Sequence, residues 1–173
     1  MRKYTLLYIL ALMVTAIGAG ACQDTRTYDH YVHTPLDGWE RNDTLHFDVP
    51  PTRQGGPQRQ WIGMRVYKDF PFRTITMIVD QTVLPHRQHL RDTISCHIMD
   101  QDGHLLGKRS LNFSEIRTYL REINLQKGDS IHIAVIHNMR RESIPGIADV
   151  GMEMRLLTNQ VAAGVNAKEN KQQ

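Results

Sequence analysis

The sequence predicts an all-β domain, an antiparallel β-sandwich of about seven to eight strands with at most one short helix. Apolar and polar residues alternate along nearly every predicted strand. Turn-forming residues separate these segments about every ten positions. Alternation means that one face of each sheet packs against a core and the other meets solvent. A closed barrel fits the same pattern and stays open as an alternative.

The clearest strand is 74–83, where Ile75, Met77 and Val79 share one face and threonines occupy the other. Asp102-Gly103 predicts a hairpin-like turn into the next strand. The strands predicted by the same alternation are 44–49, 60–68, 74–83, 92–100, 104–109, 130–138 and 150–156. They describe one domain with no internal repeat.

Residues 111–123 fit two interpretations. Ile116, Tyr119, Leu120 and Ile123 follow a helical period, and Ser114 is a suitable N-cap. Residues 119–125 also fit an extended edge strand. We predict one short helical turn followed by a strand.

The first residues form a secretory signal. Arg2 and Lys3 precede an apolar run over 4–17, and three small residues, 19–21, lead to Cys22. The run ends too early for a transmembrane helix. A cysteine at the cleavage point is the acceptor for lipid in bacterial lipoproteins, although Ala19 stands where the usual lipobox has leucine. An ordinary signal peptide followed by a chance cysteine is the alternative.

The chain therefore divides into four predicted parts: a lipoprotein signal peptide (1–21), a lipidated tether (22–43), the β-sandwich (44–157) and a disordered polar tail (158–173). Lipid on Cys22 would leave Cys96 without a partner. Because Cys96 alternates with Ser95 and His97, we expect a buried, unreactive thiol.

Charge and motifs exclude several classes of function. The net charge is +3, and removal of Arg2 and Lys3 with the signal leaves +1. This gives no electrostatic case for nucleic acid. His86 and His89 are a close pair, but no cysteine or acidic cluster completes a metal site. We find no nucleophile or phosphate-binding motif. We expect no catalytic residue, no metal and no cofactor, and hence no enzyme.

Two features are candidate partner-binding sites. Trp39 lies where the tether meets the domain, and Arg140 and Arg141 follow a predicted buried strand. Pro145 and Gly146 then reverse the chain. A turn that only fixes strand register explains the segment as well. The functional interpretation is a loop that presents Arg140 and Arg141 to a partner.

A series of short motifs resembles the gliding-motility lipoprotein family GldH. The residues that carry the resemblance are Tyr28-Asp29, Asp37-Gly38-Trp39, Asp43-Thr44, Phe47, Tyr67 to Pro71-Phe72, Asp92-Thr93, Asp102-Gly103 to Leu106-Gly107, His137-Asn138-Met139-Arg140 and the segment 144–151. Ile144-Pro145 stands where the family usually has a leucine-containing turn, and the basic tail after Leu157 is extra. The resemblance covers Cys22 to about Leu156.

The resemblance implies a non-enzymatic component of the envelope machinery for gliding and associated protein secretion. It supplies no catalytic residues. We expect a protein anchored to a membrane through Cys22, facing the periplasm and binding other envelope proteins. The inner and the outer membrane both remain open.

A lipid-anchored glycan-binding module is the alternative function. Sugar rings stack on aromatic side chains, but aromatic residues make up only 7% of the chain, and Trp39 and Trp61 are its two tryptophans. Asp43-Thr44, Asp92-Thr93 and Asp129-Ser130 also resemble acceptors for periplasmic O-glycosylation, although we favour the interpretation that Asp ends a turn and Thr or Ser begins a strand.

Overall fold

The computed structural model describes residues 24–157, and these residues form strands and turns without any helix. The strands are β1 (Arg26–His33), β2 (Trp39–Glu40), β3 (Leu45–Val49), β4 (Gly56–Tyr67), β5 (Thr74–Leu84), β6 (Gln88–His97), β7 (Lys108–Arg109), β8 (Phe113–Leu125), β9 (Ser130–His137), β10 (Ser143–Ile144) and β11 (Ile147–Leu156). The predicted all-β class is confirmed. The predicted tail, 158–173, lies outside the described residues.

The strands form two main sheets. A five-stranded sheet has the order β1-β11-β4-β8-β7, and a four-stranded sheet has the order β3-β9-β5-β6. A two-residue ribbon pairs β10 with β2, and every strand pair is antiparallel. Each main sheet ends in two edge strands, so the arrangement is a sandwich rather than a closed barrel.

The core lies between the two sheets, because alternate residues of each strand point inward. Ile62 and Met64 of β4 are fully buried, as are Ile75 and Met77 of β5. Burying each such side chain contributes roughly 1.5–3 kcal/mol. The apolar alternation that predicted these strands therefore also supplies the core.

The predicted tether is wrong over most of its length. Residues 26–33 form β1, which pairs with β11 along the edge of the five-stranded sheet, and Trp39–Glu40 form β2. The sequence of β1 lacks the apolar alternation of the other strands, and none of its side chains is fully buried. Its backbone hydrogen bonds to β11 hold it in place. The folded domain thus begins by Arg26 instead of residue 44.

The predicted helical turn within 111–123 is also wrong, because these residues belong to β8. The register between β4 and β8 shifts between Gln60 and Trp61: Gln60 pairs with Arg121 and Trp61 pairs with Tyr119. Leu120 is therefore the extra residue of a β-bulge. The bulge moves the buried positions from even to odd numbers, so the apolar spacing along the strand imitates a helical period.

Two buried glutamines join the sheets across the core. Gln60 of β4 is 0% exposed and Gln81 of β5 is 2% exposed. The Gln60 Nε2 donates a hydrogen bond to Gln81 Oε1 at 2.9 Å, and the Gln81 Nε2 donates one to Gln60 Oε1 at 3.0 Å. Each amide thereby satisfies the hydrogen-bonding groups of the other inside the core. This reciprocal pair fixes β4 of one sheet opposite β5 of the other.

Loss of one glutamine should be more harmful than loss of both. Gln81→Ala leaves the Gln60 amide buried without this partner and opens a cavity, so the free energy of unfolding should fall by about 2–4 kcal/mol. The double variant Gln60→Met/Gln81→Met should lose less, because no polar group is left unpaired. Urea unfolding followed by tryptophan fluorescence measures both. A double variant less stable than Gln81→Ala would contradict this account.

Candidate partner-binding site

The outward face of the five-stranded sheet carries a tyrosine that lies over two glycines. Tyr31 of β1, Gly151 of β11, Gly63 of β4 and Arg117 of β8 occupy one row across the four strands. A Cβ atom at Gly151 would lie only 2.6 Å from the ring carbon Cε1 of Tyr31. Glycine at these positions therefore makes room for the ring, which covers and buries the backbone of both strands there.

Arg65 connects this tyrosine to the acidic residues of the next row. Its guanidinium carbon lies 3.9 Å from the Tyr31 ring centroid and 5.3 Å from that of Phe113. It also forms ion pairs with Glu115 at 3.5 Å and Asp149 at 3.4 Å. Cation-π and ionic contacts together hold the guanidinium in one orientation.

Arginines and carboxylates alternate along the same face. Arg117 contacts both Glu115 and Glu153, and Arg155 also binds Glu153, which is buried. Burial raises the pKa of Glu115, but the hydrogen bond and charge of Arg117 and the charge of Arg65 outweigh it, so that this pKa lies below its ordinary value. The Glu115 carboxylate is therefore ionised and helps to position Arg65 and Arg117.

An open hollow of about 480 Å³ adjoins this network. Trp61 and Tyr119 stand opposite each other on β4 and β8, and Tyr119 is 53% exposed. The other lining residues are Arg59, Arg117, Glu153, Arg155 and Leu157. We call the surface formed by Arg59, Trp61, Arg117, Tyr119 and Arg155 the aromatic–arginine face. This face was not predicted from the sequence, although the alternate positions of Arg59, Trp61 and Arg65 along β4 were a signal for it.

The prediction that Trp39 contacts a partner is wrong, because the residue is 0% exposed. Its Nε1 donates a hydrogen bond to the Asp43 carbonyl oxygen at 2.8 Å, and its ring meets His137 edge-on at 5.3 Å. Pairing of β2 with β10 places the indole inside the domain. Desolvation lowers the pKa of the neighbouring His137, so this histidine packs as a neutral group. Trp39 is a core residue.

Arg140 and Arg141 are exposed, on a loop between β9 and β10. A third arginine organises this loop: Arg41 Nη2 donates hydrogen bonds to the carbonyl oxygens of Met139 and Arg140, both at 2.8 Å. The Arg141 guanidinium lies 5.9 Å from the Phe72 ring centroid. The loop immediately precedes β10 and β11, and Ile147 at the start of β11 pairs with Val66, at the other end of β4 from Arg59. The loop therefore lies toward the opposite end of the strands, and its role in binding stays a prediction.

Other reactive groups do not gather into a second site among residues 24–157. Asp100, Asp102 and His104 lie close together, but the Asp100 carboxylate accepts hydrogen bonds from the backbone N–H groups of Asp102 and His104, at 2.9 and 2.8 Å, which explains the cluster as a turn. Cys96 is buried, as predicted, and burial raises the pKa of its thiol. Cys22 lies outside the described residues.

The fold places the chain among antiparallel β-sandwich domains. The sequence pattern of the GldH lipoprotein family matches residues 26–154, which is most of the chain. The protein therefore belongs to the GldH lipoprotein family, a family of gliding-motility-associated lipoproteins of the cell envelope. No curated protein sequence matches it. Within residues 24–157 no helix is long and apolar enough to cross a bilayer.

Several solved structures are similar over part of their length. Dimeric latent PorU from Porphyromonas gingivalis is 13% identical with a TM-score of 0.32, and the match covers 80% of this chain and 14% of PorU. A family 35 carbohydrate-binding module from Clostridium thermocellum is 9% identical with a TM-score of 0.34, covering 72% and 89%. The GH115 4-O-methyl-α-glucuronidase BtGH115A is 7% identical with a TM-score of 0.39, covering 80% and 18%. The chain spans less than a fifth of PorU and of the glucuronidase, and such low scores carry no argument about function.

Tyr31 should lose its phenolic proton at a higher pH than an ordinary tyrosine. Gly151 should be responsible, because it leaves room for the ring to pack against the sheet. Burial, and then the negative charge of Glu115, raise the pKa of Tyr31 to about 12. Because the folded state holds this proton more tightly than the unfolded chain, its contribution to stability disappears as the pH rises from about 10 to about 12. Gly151→Ala pushes the ring outward and should return this step toward the ordinary pKa of tyrosine.

Absorbance titration of tyrosinate measures this step, and Tyr31→Phe assigns it. Gly103→Ala is the control, because a Cβ at Gly103 meets nothing within 4 Å. A late step that persists unchanged in Gly151→Ala would show that the glycine row does not position Tyr31.

Proposed function

We propose that this protein is a non-enzymatic lipoprotein, anchored to an envelope membrane through Cys22 and facing the periplasm, that binds a protein of the gliding or secretion-associated machinery. The family match over residues 26–154 supports the association with gliding. The aromatic–arginine face supplies a surface suited to a protein partner. No nucleic acid and no cofactor enter this proposal.

The composition of this face supports protein binding. Tryptophan, tyrosine and arginine dominate the residues that contribute most to protein–protein affinity. Here Trp61 and Tyr119 stand side by side on adjacent strands, flanked by Arg59 and Arg117. Both arginines are held by carboxylates: Arg59 pairs with Glu122 at 2.5 Å, and Arg117 pairs with Glu115 at 2.9 Å. Side chains already held in place lose less entropy when a partner binds.

Lipidation at Cys22 has a direct test. The full chain carrying Cys22→Ser should keep its first twenty-one residues and lack acyl chains, because the thiol is the acceptor. Mass spectrometry of the intact protein from the membrane fraction measures both. Cys96→Ala is the matched control and should be processed and acylated like the unaltered chain. Unchanged processing and mass in Cys22→Ser would refute the anchor.

Photo-crosslinking in intact cells tests the partner-binding face. A photoreactive phenylalanine analogue at position 119 should crosslink to a gliding or secretion-associated protein. Trp61→Ala should reduce that crosslink by about tenfold or more, because loss of a central tryptophan typically costs at least about 2 kcal/mol of binding. The same probe at position 140 examines the loop. Crosslinks from 140 but not from 119 would move the interface to Arg140 and Arg141.

The second candidate function, a glycan-binding module, is favoured by one observation. Trp61 and Tyr119 form an outward aromatic pair beside a hollow that also contains arginines and Glu153. Sugar rings stack on such side chains while charged groups bind their hydroxyls. Binding of the acylated protein to a glycan array, lost in Trp61→Ala, would support this function. No array binding together with a protein crosslink at position 119 would reject it.

A further inference from the structure

One end of the sandwich gathers the start of β1 and the end of β11. The Leu156 N–H donates a hydrogen bond to the Thr25 carbonyl oxygen at 2.8 Å, and Leu156 pairs with Gln58 at the start of β4. The loops 50–55, 85–87 and 126–129 lie at this same end. Thr52 N donates to the Asp129 carbonyl oxygen at 2.8 Å, and Leu84 pairs with Ser130. We call this the N-terminal end.

The short stretch between Cys22 and β1 restricts how far the N-terminal end can lie from the lipid anchor. β1 begins at Arg26, only four residues after Cys22. Four extended residues span at most about 14 Å. If Cys22 carries the lipid, as proposed above, the N-terminal end must therefore lie against the headgroups, and no folded protein fits between the two.

Three exposed cations stand on the loops of this end: Arg53, Arg87 and Lys127. Among the ion pairs of residues 24–157, none includes any of them. The Gly128 N–H donates a hydrogen bond to the Thr52 carbonyl oxygen at 2.9 Å, so two of the three loops touch.

The acidic groups of this end already have partners. Asp24 and Asp29 pair with Arg26, Asp48 pairs with His132, Glu122 pairs with Arg59, and buried Asp129 accepts a hydrogen bond from the Gln126 backbone N–H. The acidic and basic side chains of this end are equal in number, but no carboxylate of residues 24–157 pairs with Arg53, Arg87 or Lys127, so these three cations are free to meet the headgroups.

We propose that Arg53, Arg87 and Lys127 bind the anionic lipid headgroups of the membrane that holds the anchor, and so set the domain upright on its N-terminal end. This rests on the proposed lipidation of Cys22. Cations close to a negative bilayer are attracted within about one Debye length, about 10 Å at 0.1 M salt. The short link from Cys22 to β1 keeps the end that carries all three loops close to the bilayer. The contact fixes orientation, whereas the acyl chains hold the protein to the membrane.

Hydrogen exchange on membranes tests the proposal. The full chain is produced in cells, purified from membranes, weighed intact to record its acyl chains, and placed in nanodiscs of phosphatidylcholine alone or with about 30 mol% phosphatidylglycerol. Exchange in 50–55 and 126–129 should be at least about threefold slower on the anionic discs at about 0.1 M salt. The difference should vanish at about 0.5 M salt, because screening shortens the attraction.

Two triple variants separate this contact from a general effect of charge. Arg53→Glu/Arg87→Glu/Lys127→Glu should abolish the difference between the lipids. Lys68→Glu/Lys108→Glu/Arg109→Glu makes the same change in charge on exposed residues of the opposite end and should preserve it. If the first triple variant fails to fold, Arg53→Glu and Lys127→Glu alone should each reduce the difference.

The outcomes distinguish the two proposals. Acyl chains present, with loop exchange indifferent to phosphatidylglycerol, would overturn the headgroup contact and leave the anchor intact. Equal losses in both triple variants would also overturn it. Absence of acyl chains would overturn the anchor and this orientation together.

Discussion

The strict alternation of β4 is the constraint on which the rest of the structure depends. This strand lies at the centre of the five-stranded sheet, with β11 on one side and β8 on the other. Its inward residues supply part of the core and the glutamine that reaches β5. Its outward residues, Arg59, Trp61, Gly63 and Arg65, define the surface on the opposite side. A slip of one residue would exchange the two sets, burying arginines and exposing the core. The register of β4 therefore determines both which residues pack in the core and which side chains form the outward surface.

The outward face is built as carefully as the core. Tyr31 covers two glycines. The arginines around it form ion pairs with carboxylates that are themselves buried, and a buried charge is costly unless it has such a partner. Stability alone does not require such a surface on an exposed sheet, where unpaired polar side chains are well hydrated. An ordered set of aromatic rings and guanidinium groups is, however, what a binding surface needs. The two candidate occupants, a protein and a glycan, place different demands on it: a protein uses the whole face, whereas a sugar needs mainly the pair Trp61 and Tyr119.

If Cys22 carries the proposed lipid, the position of the aromatic–arginine face relative to the anchor would limit what can reach it. Trp61 is five residues from the start of β4 at the N-terminal end, or about 17 Å along the strand. An upright domain would hold this face beside the membrane and the loop of Arg140 and Arg141 at the far end. A partner for the first surface would approach sideways, close to the bilayer, and a partner for the second would approach from the periplasm. The two surfaces thus suit different partners, or different parts of one large assembly.

The sequence by itself determined the fold class, the buried faces of most strands and the buried state of Cys96, because period-two alternation is a local property of each strand. It also predicted a signal peptide over residues 1–21, followed by Cys22. Only the tertiary structure decided that residues 26–33 form a strand, since β1 has little apolar pattern and exists through its pairing with β11. Only the structure revealed the bulge at Leu120, which changes the buried positions of β8 from even to odd numbers and so gives the sequence a helix-like apolar spacing. It also revealed that Trp39, in the β2–β10 ribbon, is buried. The residues of the aromatic–arginine face come from strands that are far apart along the chain. They become neighbours through the pairing register of those strands, and the sequence of one strand does not specify that register.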